Sequence, residues 1–135
     1  PPRTSEGFTE EDLYATLRDE SKKTFHRNLA AMGLSWRMRC EAGIPIDVGA
    51  LDLGKAVFLL LPAETFVQYQ LTAQGMRPDA QVMTAGYGES APGYTPSAAA
   101  TEDHFNDHHT WLWVDPKVEP LINLAVQKVL LPTIE

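Results

Sequence analysis

One uninterrupted apolar segment constrains the fold of this chain more than any other feature. Residues Ala56 to Leu61 read Ala-Val-Phe-Leu-Leu-Leu and are followed at once by Pro62. A continuous run of this kind is typical of a strand that is covered on both faces, as strands of parallel sheets are. The run is far shorter than the roughly 20 residues that cross a bilayer, so no transmembrane segment is predicted.

The segments around this run predict helices and strands in alternation. Thr9 is followed by three acidic residues, which is a typical helix start because the hydroxyl caps the backbone and acids favour the positive end of the helix dipole. Leu34 to Cys40 fits either a longer first helix or a short strand. Apolar spacing predicts helices at residues 9–33, 64–76 and 117–131 and strands at residues 44–51 and 81–86.

The predicted fold class is therefore α/β, in the order α-β-β-α-β-α, with a small mixed or parallel sheet flanked by helices. If the strands at 56–61 and 81–86 are parallel, the segment between them is a crossover unit. A chain of 135 residues fits one domain. We expect residues 1–8 to form a flexible lead-in and residues 9–135 to form a single α/β segment.

The charge balance argues against one class of partner. The 18 acidic and 11 basic side chains give a formal net charge of -7. No basic face is available to replace the counterions of a nucleic acid, so no nucleic-acid partner is predicted.

Two strand ends carry the candidate site. In open α/β sheets, ligands bind beyond the carboxyl ends of the strands. Glu64 follows the apolar strand, and Tyr87 and Tyr94 lie in the loop after the next strand. If the two strands are parallel neighbours, both ends meet at one edge, and Glu64 and Tyr94 can approach each other. The simpler alternatives are that Glu64 only balances a helix dipole and that the tyrosines only pack the loop.

Short motifs in the middle of the chain extend this picture. They occur in the order Leu-Pro-Ala-Glu (61–64), Phe66, Tyr69, Leu71, Gly-Tyr-Gly (86–88) and Gly-Tyr-Thr-Pro (93–96). This series resembles the neutral/alkaline ceramidase family, and most closely its bacterial ceramidase-like members, over roughly residues 44–94. Ala63 stands where that family usually has glycine, and Pro96 stands where it commonly has threonine.

The resemblance implies a zinc-dependent amide hydrolase that cleaves ceramide, or a related lipid amide, to sphingosine and a fatty acid. Family members hold zinc with two histidines from the earlier part of the domain and with a glutamate and a tyrosine from the later part. By motif position, Glu64 matches the glutamate ligand and Tyr94 the tyrosine ligand. Such a shell polarises a carbonyl or activates water at its open position.

The resemblance also implies that the chain is the C-terminal part of a larger catalytic domain. The histidine pair and the nucleophile are expected before Pro1, in a missing N-terminal half that would be a partner of this chain. We therefore expect the isolated chain to be inactive. The family suggests a secreted or cell-envelope location.

One stretch differs from the family pattern and has candidate chemistry of its own. Residues 103–109 read Asp-His-Phe-Asn-Asp-His-His where the family commonly has Tyr-Glu. Three alternatives are open for this stretch: a solvated polar loop, part of a pocket formed by Tyr87, His104 and His108, or a metal site built from His104, Asp107 and His108. If the stretch were helical, His104 and His108 would share one face.

A second function from a different class stays open. The altered stretch at 103–109 favours a non-catalytic binding or interaction module on the same scaffold, with a degenerate active site. An apolar face left uncovered in this chain would also support a homodimer.

Overall fold

The computed structural model describes residues 1–88, 92–104 and 110–131. Its helices are α1 (Glu10–Arg18), α2 (Thr24–Glu41), α3 (Val67–Met76), α4 (Ala98–Glu102) and α5 (Glu119–Leu130). Its strands are β1 (Gly49–Asp52), β2 (Ala56–Leu60), β3 (Glu64–Thr65), β4 (Gln81–Ala85) and β5 (Tyr94–Thr95). A 3-10 turn at Pro116–Val118 precedes α5. The predicted α/β class is confirmed.

The main sheet has three strands in the order β1-β2-β4. The strands β2 and β4 are parallel, with Val57 beside Val82, so the condition set for the crossover unit and for the shared edge is met. The strand β1 runs antiparallel to β2, so the sheet is mixed. The carboxyl ends of β2 and β4 therefore lie at the same edge, where the chain continues toward Glu64 and Tyr87.

The predicted first helix is two helices. Thr9 caps α1 as expected and forms a capping box with Asp12, but α1 ends at Arg18. Just after it, the Asp19 carboxylate accepts hydrogen bonds from the backbone N–H and the hydroxyl of Ser21, at 3.0 and 2.6 Å. Such a local side-chain bond competes with helical hydrogen bonding and turns the chain. Leu34 to Cys40 belongs to α2, which resolves the alternative between helix and strand.

Two other predicted boundaries shift. The expected strand at 44–51 is present only from Gly49, and residues 44–48 are irregular. Pro45 has no N–H to donate to a sheet, and the Ile44 N–H bonds instead to the Arg39 carbonyl at the end of α2. The expected helix from Glu64 begins at Val67, because residues 64–65 form the strand β3.

Among the described residues, helices cover one face of the main sheet. Val57 and Leu59 are fully buried, and the core they share with α3 and α5 includes Tyr69, Val82, Ile122, Val126 and Leu130. On the opposite face, Phe58 is 43% and Leu60 is 54% exposed. The expectation that β2 is covered on both faces was therefore wrong within the part of the chain that the structure describes. Its apolar sequence fits a second layer that these residues do not supply.

A second, smaller sheet lies beyond the carboxyl end of β2. It pairs β3 with β5, and Gly93 bridges to Leu112 in the segment that leads to α5. Val114 in turn bridges to Pro2 at the start of the chain, and the Arg3 N–H donates to the Trp113 carbonyl. None of the helices in residues 1–88, 92–104 and 110–131 combines the length and apolarity of a membrane span.

Candidate functional site

The strands β3 and β5 bring Glu64 and Tyr94 together. They are paired residues of a parallel ladder, so their side chains leave the same face of the small sheet. The Glu64 N–H donates to the Gly93 carbonyl at 3.1 Å, and the Phe66 N–H donates to the Thr95 carbonyl at 3.3 Å. Neighbouring strands are about 4.8 Å apart, so two long side chains in register can converge on one small ligand.

Tyr87, the other tyrosine of this edge, contacts the Glu64 carboxylate. The Tyr87 hydroxyl donates to Glu64 Oε2 at 3.1 Å. This hydrogen bond, together with the negative charge of Glu64, raises the pKa of the Tyr87 phenol above its ordinary value. Tyr94 makes an edge-to-face contact with the Phe66 ring, with centroids 6.4 Å apart. The site therefore contains one carboxylate and two phenols beside an aromatic wall.

The loop carrying Tyr87 is held against the end of β2 by its backbone. The Tyr87 N–H donates to the Ala63 carbonyl at 2.8 Å, and the Gly88 N–H donates to the Leu61 carbonyl at 2.9 Å. The approach is so close that a Cβ on Gly88 would lie 2.7 Å from the Leu61 oxygen. The glycine is required here because a side chain would push the loop away from the strand end.

Two residues of this edge adopt left-handed backbone conformations without being glycine. Ala63 has a φ of 62° and Tyr87 a φ of 60°. Such a conformation costs an L-residue roughly 1–2 kcal/mol, and it is common where a functional site dictates the backbone. Ala63 is also fully buried.

The other side of Tyr94 is fixed by the segment before α5. The Tyr94 N–H donates to the Trp111 carbonyl at 2.8 Å. Gly93, with a φ of 76°, passes so close to Trp111 that a Cβ would overlap the Trp111 carbonyl oxygen at 1.7 Å. Deeper in the molecule, the buried Tyr69 hydroxyl of α3 donates to the Pro96 carbonyl at 2.9 Å. The strand β5 is thus anchored on both sides.

The histidine stretch is described only at its start. His104 follows α4 with a φ of 60°, and its N–H donates to the Thr101 carbonyl at 3.2 Å. The alternatives that involve Asp107 and His108, the pocket as well as the metal site, lie outside the described residues. Within residues 1–88, 92–104 and 110–131, no group of three or more His, Cys, Asp or Glu side chains is arranged to hold a metal ion.

An apolar cavity of about 510 Å³ lies near the small sheet but on its other side. Its walls include Trp36, Cys40, Thr95 and Ile122. Successive residues of a strand face opposite sides, so Thr95 faces the cavity and Tyr94 faces away from it. Cys40 is half-buried, and its partial burial raises the pKa of the thiol. The cavity is separate from the Glu64 carboxylate.

Chemically, the edge offers oxygen ligands to a cation. A carboxylate and a phenolate both suit zinc, but a closed or catalytic zinc shell needs at least three protein ligands. Sequence reasoning identified Glu64, Tyr87 and Tyr94 as members of the edge but missed the bond between Tyr87 and Glu64 and the role of Gly88. The glycine in Gly-Tyr-Gly was the available signal, since glycine marks a close backbone approach.

Comparisons with protein-family models, with curated proteins and with solved structures found no match to this chain.

Proposed function

We propose that this chain supplies Glu64 and Tyr94 as two ligands of a zinc site in a ceramidase-like amide hydrolase. The observation that carries the proposal is the direct pairing of Glu64 with Tyr94 in parallel strands at the carboxyl edge of the main sheet. Side chains that leave paired residues of neighbouring strands, about 4.8 Å apart, are long enough here to converge until each oxygen reaches one ion at the roughly 2 Å zinc–oxygen distance. The remaining ligands would be histidines supplied from outside these residues.

The donor atoms of the pair suit a cation. Glu64 supplies carboxylate oxygens, and Tyr94 would supply a phenol oxygen from the residue beside it in register. A divalent ion held there would supply a Lewis acid for a substrate carbonyl or a water molecule.

The backbone at Ala63 supports the resemblance independently. Its φ of 62° is a conformation that favours glycine, and glycine is the residue that the ceramidase family usually has at this position. The strand end thus has a backbone conformation that suits the family's glycine, although the residue here is alanine. In that motif the following residue, which is Glu64 here, is the metal ligand.

A zinc titration followed by NMR tests the proposal. With only two of the expected ligands present, we expect weak binding in which the resonances of Glu64 and Tyr94 shift together. The variants Glu64→Gln and Tyr94→Phe should lose these shifts, whereas the matched controls Glu10→Gln and Tyr14→Phe on α1 should keep them. If zinc shifts other resonances but not those of Glu64 and Tyr94, the result would contradict the site and favour the non-catalytic binding module.

A hydrolysis assay on the same preparation tests the rest of the proposal. We expect no release of fatty acid from a labelled ceramide, because the histidines and the nucleophile are expected elsewhere. Robust turnover by these 135 residues would overturn the proposal that they form only part of a catalytic domain.

We also propose self-association through the uncovered face of the main sheet. Leu51, Phe58 and Met83 are direct neighbours across β1, β2 and β4, and each is at least 37% exposed. Large contiguous apolar patches on a protein surface mark interaction sites, and this row would form the centre of one. Sedimentation velocity should show a concentration-dependent dimer that Phe58→Ser removes, while the exposed Val67→Ser on α3 should leave it intact. A monomer at all concentrations would exclude the dimer.

A further inference from the structure

Tyr87 contacts the proposed ligand Glu64 but has a different place in the site from Tyr94. The Tyr87 hydroxyl donates a hydrogen bond to Glu64 Oε2, with 3.1 Å between the two oxygens. Tyr94 is instead the residue that pairs with Glu64 in the β3–β5 ladder. The two phenols of the edge are therefore not equivalent: one is a hydrogen-bond donor to the carboxylate, and the other stands beside it in register.

We propose that Tyr87 is a positioning residue that holds Glu64 as a one-oxygen ligand and leaves Glu64 Oε1 for the metal. This inference rests on the proposed zinc site. A carboxylate that coordinates metal is commonly oriented by a hydrogen bond to its other oxygen, and such partners contribute about 10- to 100-fold in metal affinity. The hydrogen bond from the Tyr87 hydroxyl uses one of the two lone pairs of Glu64 Oε2, so it favours coordination of an ion through Oε1 alone over chelation through both oxygens.

The placement of the Tyr87 hydroxyl follows from the backbone around it. The neighbouring hydrogen bonds from the Tyr87 and Gly88 N–H groups to the carbonyls of Ala63 and Leu61 fix the loop on the same strand end that carries Glu64. Donor and acceptor therefore belong to one rigid unit. Tyr87 is 77% exposed, so these backbone hydrogen bonds, and not packing of its ring, hold the loop in place.

One-oxygen coordination has a consequence for ion choice. Zinc prefers few ligands in a tetrahedral arrangement, whereas calcium takes six to eight oxygens and readily accepts both oxygens of one carboxylate. The Tyr87 hydroxyl therefore disfavours calcium at this edge. Removing it should weaken zinc binding while freeing Glu64 for a two-oxygen contact with calcium.

Zinc and calcium titrations of the whole 135-residue chain, read from the Glu64 side-chain resonance, test the inference. Tyr87→Phe should weaken zinc binding about tenfold and lower the ratio of zinc to calcium affinity. The control Tyr14→Phe should change neither value. Because Tyr87 is exposed, its loss should not lower the melting temperature, so a merely structural role would not produce this pattern.

A second variant moves the hydroxyl without removing it. Gly88→Ala should displace the loop from Leu61 and weaken zinc binding as Tyr87→Phe does, while Gly75→Ala, whose added methyl meets open space, should not. Equal zinc binding by wild type and Tyr87→Phe would overturn the positioning role alone. An absence of any zinc shift at Glu64 in the wild-type chain would overturn the zinc site and this inference together.

Discussion

Glu64 and Tyr94 are register partners in a two-residue parallel ladder, although a helix, a strand and a loop separate them along the chain. The ladder is short, and its alignment depends on the residues just before each partner. These are Ala63 and Gly93, and both have positive φ angles. Substitutions at Ala63 and Gly93 should therefore disturb the geometry of the candidate site, although neither residue is a proposed metal ligand.

Ala63→Gly should change the free energy of unfolding by less than about 1 kcal/mol. Relief of left-handed strain, about 1–2 kcal/mol, offsets the larger unfolded-state entropy of glycine and the loss of a buried methyl group. The same substitution at Ala73, which is equally buried in the helix α3, has no strain to relieve. Urea unfolding should show Ala73→Gly to be destabilising by roughly 1.5–2 kcal/mol. Equal losses at the two positions would contradict strain at Ala63.

The sequence predicted which residues lie at the sheet edge but not the strained backbone of Ala63. The apolar run predicted the strand β2, and parallel pairing with β4 was the condition on which the shared edge depended, a condition that the structure meets. A glycine at position 63 would have indicated a left-handed backbone, whereas an alanine does not. The break after Arg18 depends on one contact between Asp19 and Ser21, which helical periodicity cannot reveal. The exposure of Phe58 was missed because a sequence indicates that a face is apolar and not which segment covers it.

Gly93→Ala should disrupt the junction between β5 and the segment before α5. Its Cβ would overlap the Trp111 carbonyl oxygen, and its φ of 76° disfavours any side chain. We expect a loss of more than about 2 kcal/mol in unfolding free energy. The Tyr94 amide, which bonds to that carbonyl, should also exchange its hydrogen faster. The control Gly75→Ala in α3 should instead stabilise by about 0.5–1 kcal/mol.

A normal exchange rate for the Tyr94 amide in the Gly93→Ala protein would show that the hydrogen bond to Trp111 does not depend on the glycine.

Arg77 should make stability depend on pH in the acidic range. Its guanidinium bonds to Asp79 at 3.0 Å and to Asp52 at 2.7 Å, and these bonds hold the pKa values of both carboxyls below their ordinary range. A depressed carboxyl pKa stabilises the fold above the unfolded pKa and loses this effect as pH falls through the folded one. The melting temperature of Arg77→Gln should therefore lie below wild type at neutral pH and converge with it between about pH 5 and 3.

The control for Arg77 is Lys128→Gln, which removes the same charge from an exposed position on α5. Its melting temperature should differ little from wild type at any pH, because exposed charges contribute little. A constant difference between Arg77→Gln and wild type across the acidic range would mean that the carboxylates of Asp52 and Asp79 are not the source of the stabilisation.

Tyr69 should link the stability of the fold to alkaline pH. Its hydroxyl is buried and donates to the Pro96 carbonyl, and desolvation raises the pKa of the phenol well above its ordinary value. A raised pKa gives stability that is complete below the unfolded pKa, about 10, and that declines as pH rises beyond it. Tyr69→Phe leaves the Pro96 carbonyl without this donor and should cost about 1–2 kcal/mol at pH 7.

Unfolding measured from pH 7 to 11 should show a steeper loss of stability for wild type than for Tyr69→Phe, whereas Tyr14→Phe should follow wild type. Parallel curves for wild type and Tyr69→Phe would show that the buried phenol does not remain protonated in the folded chain.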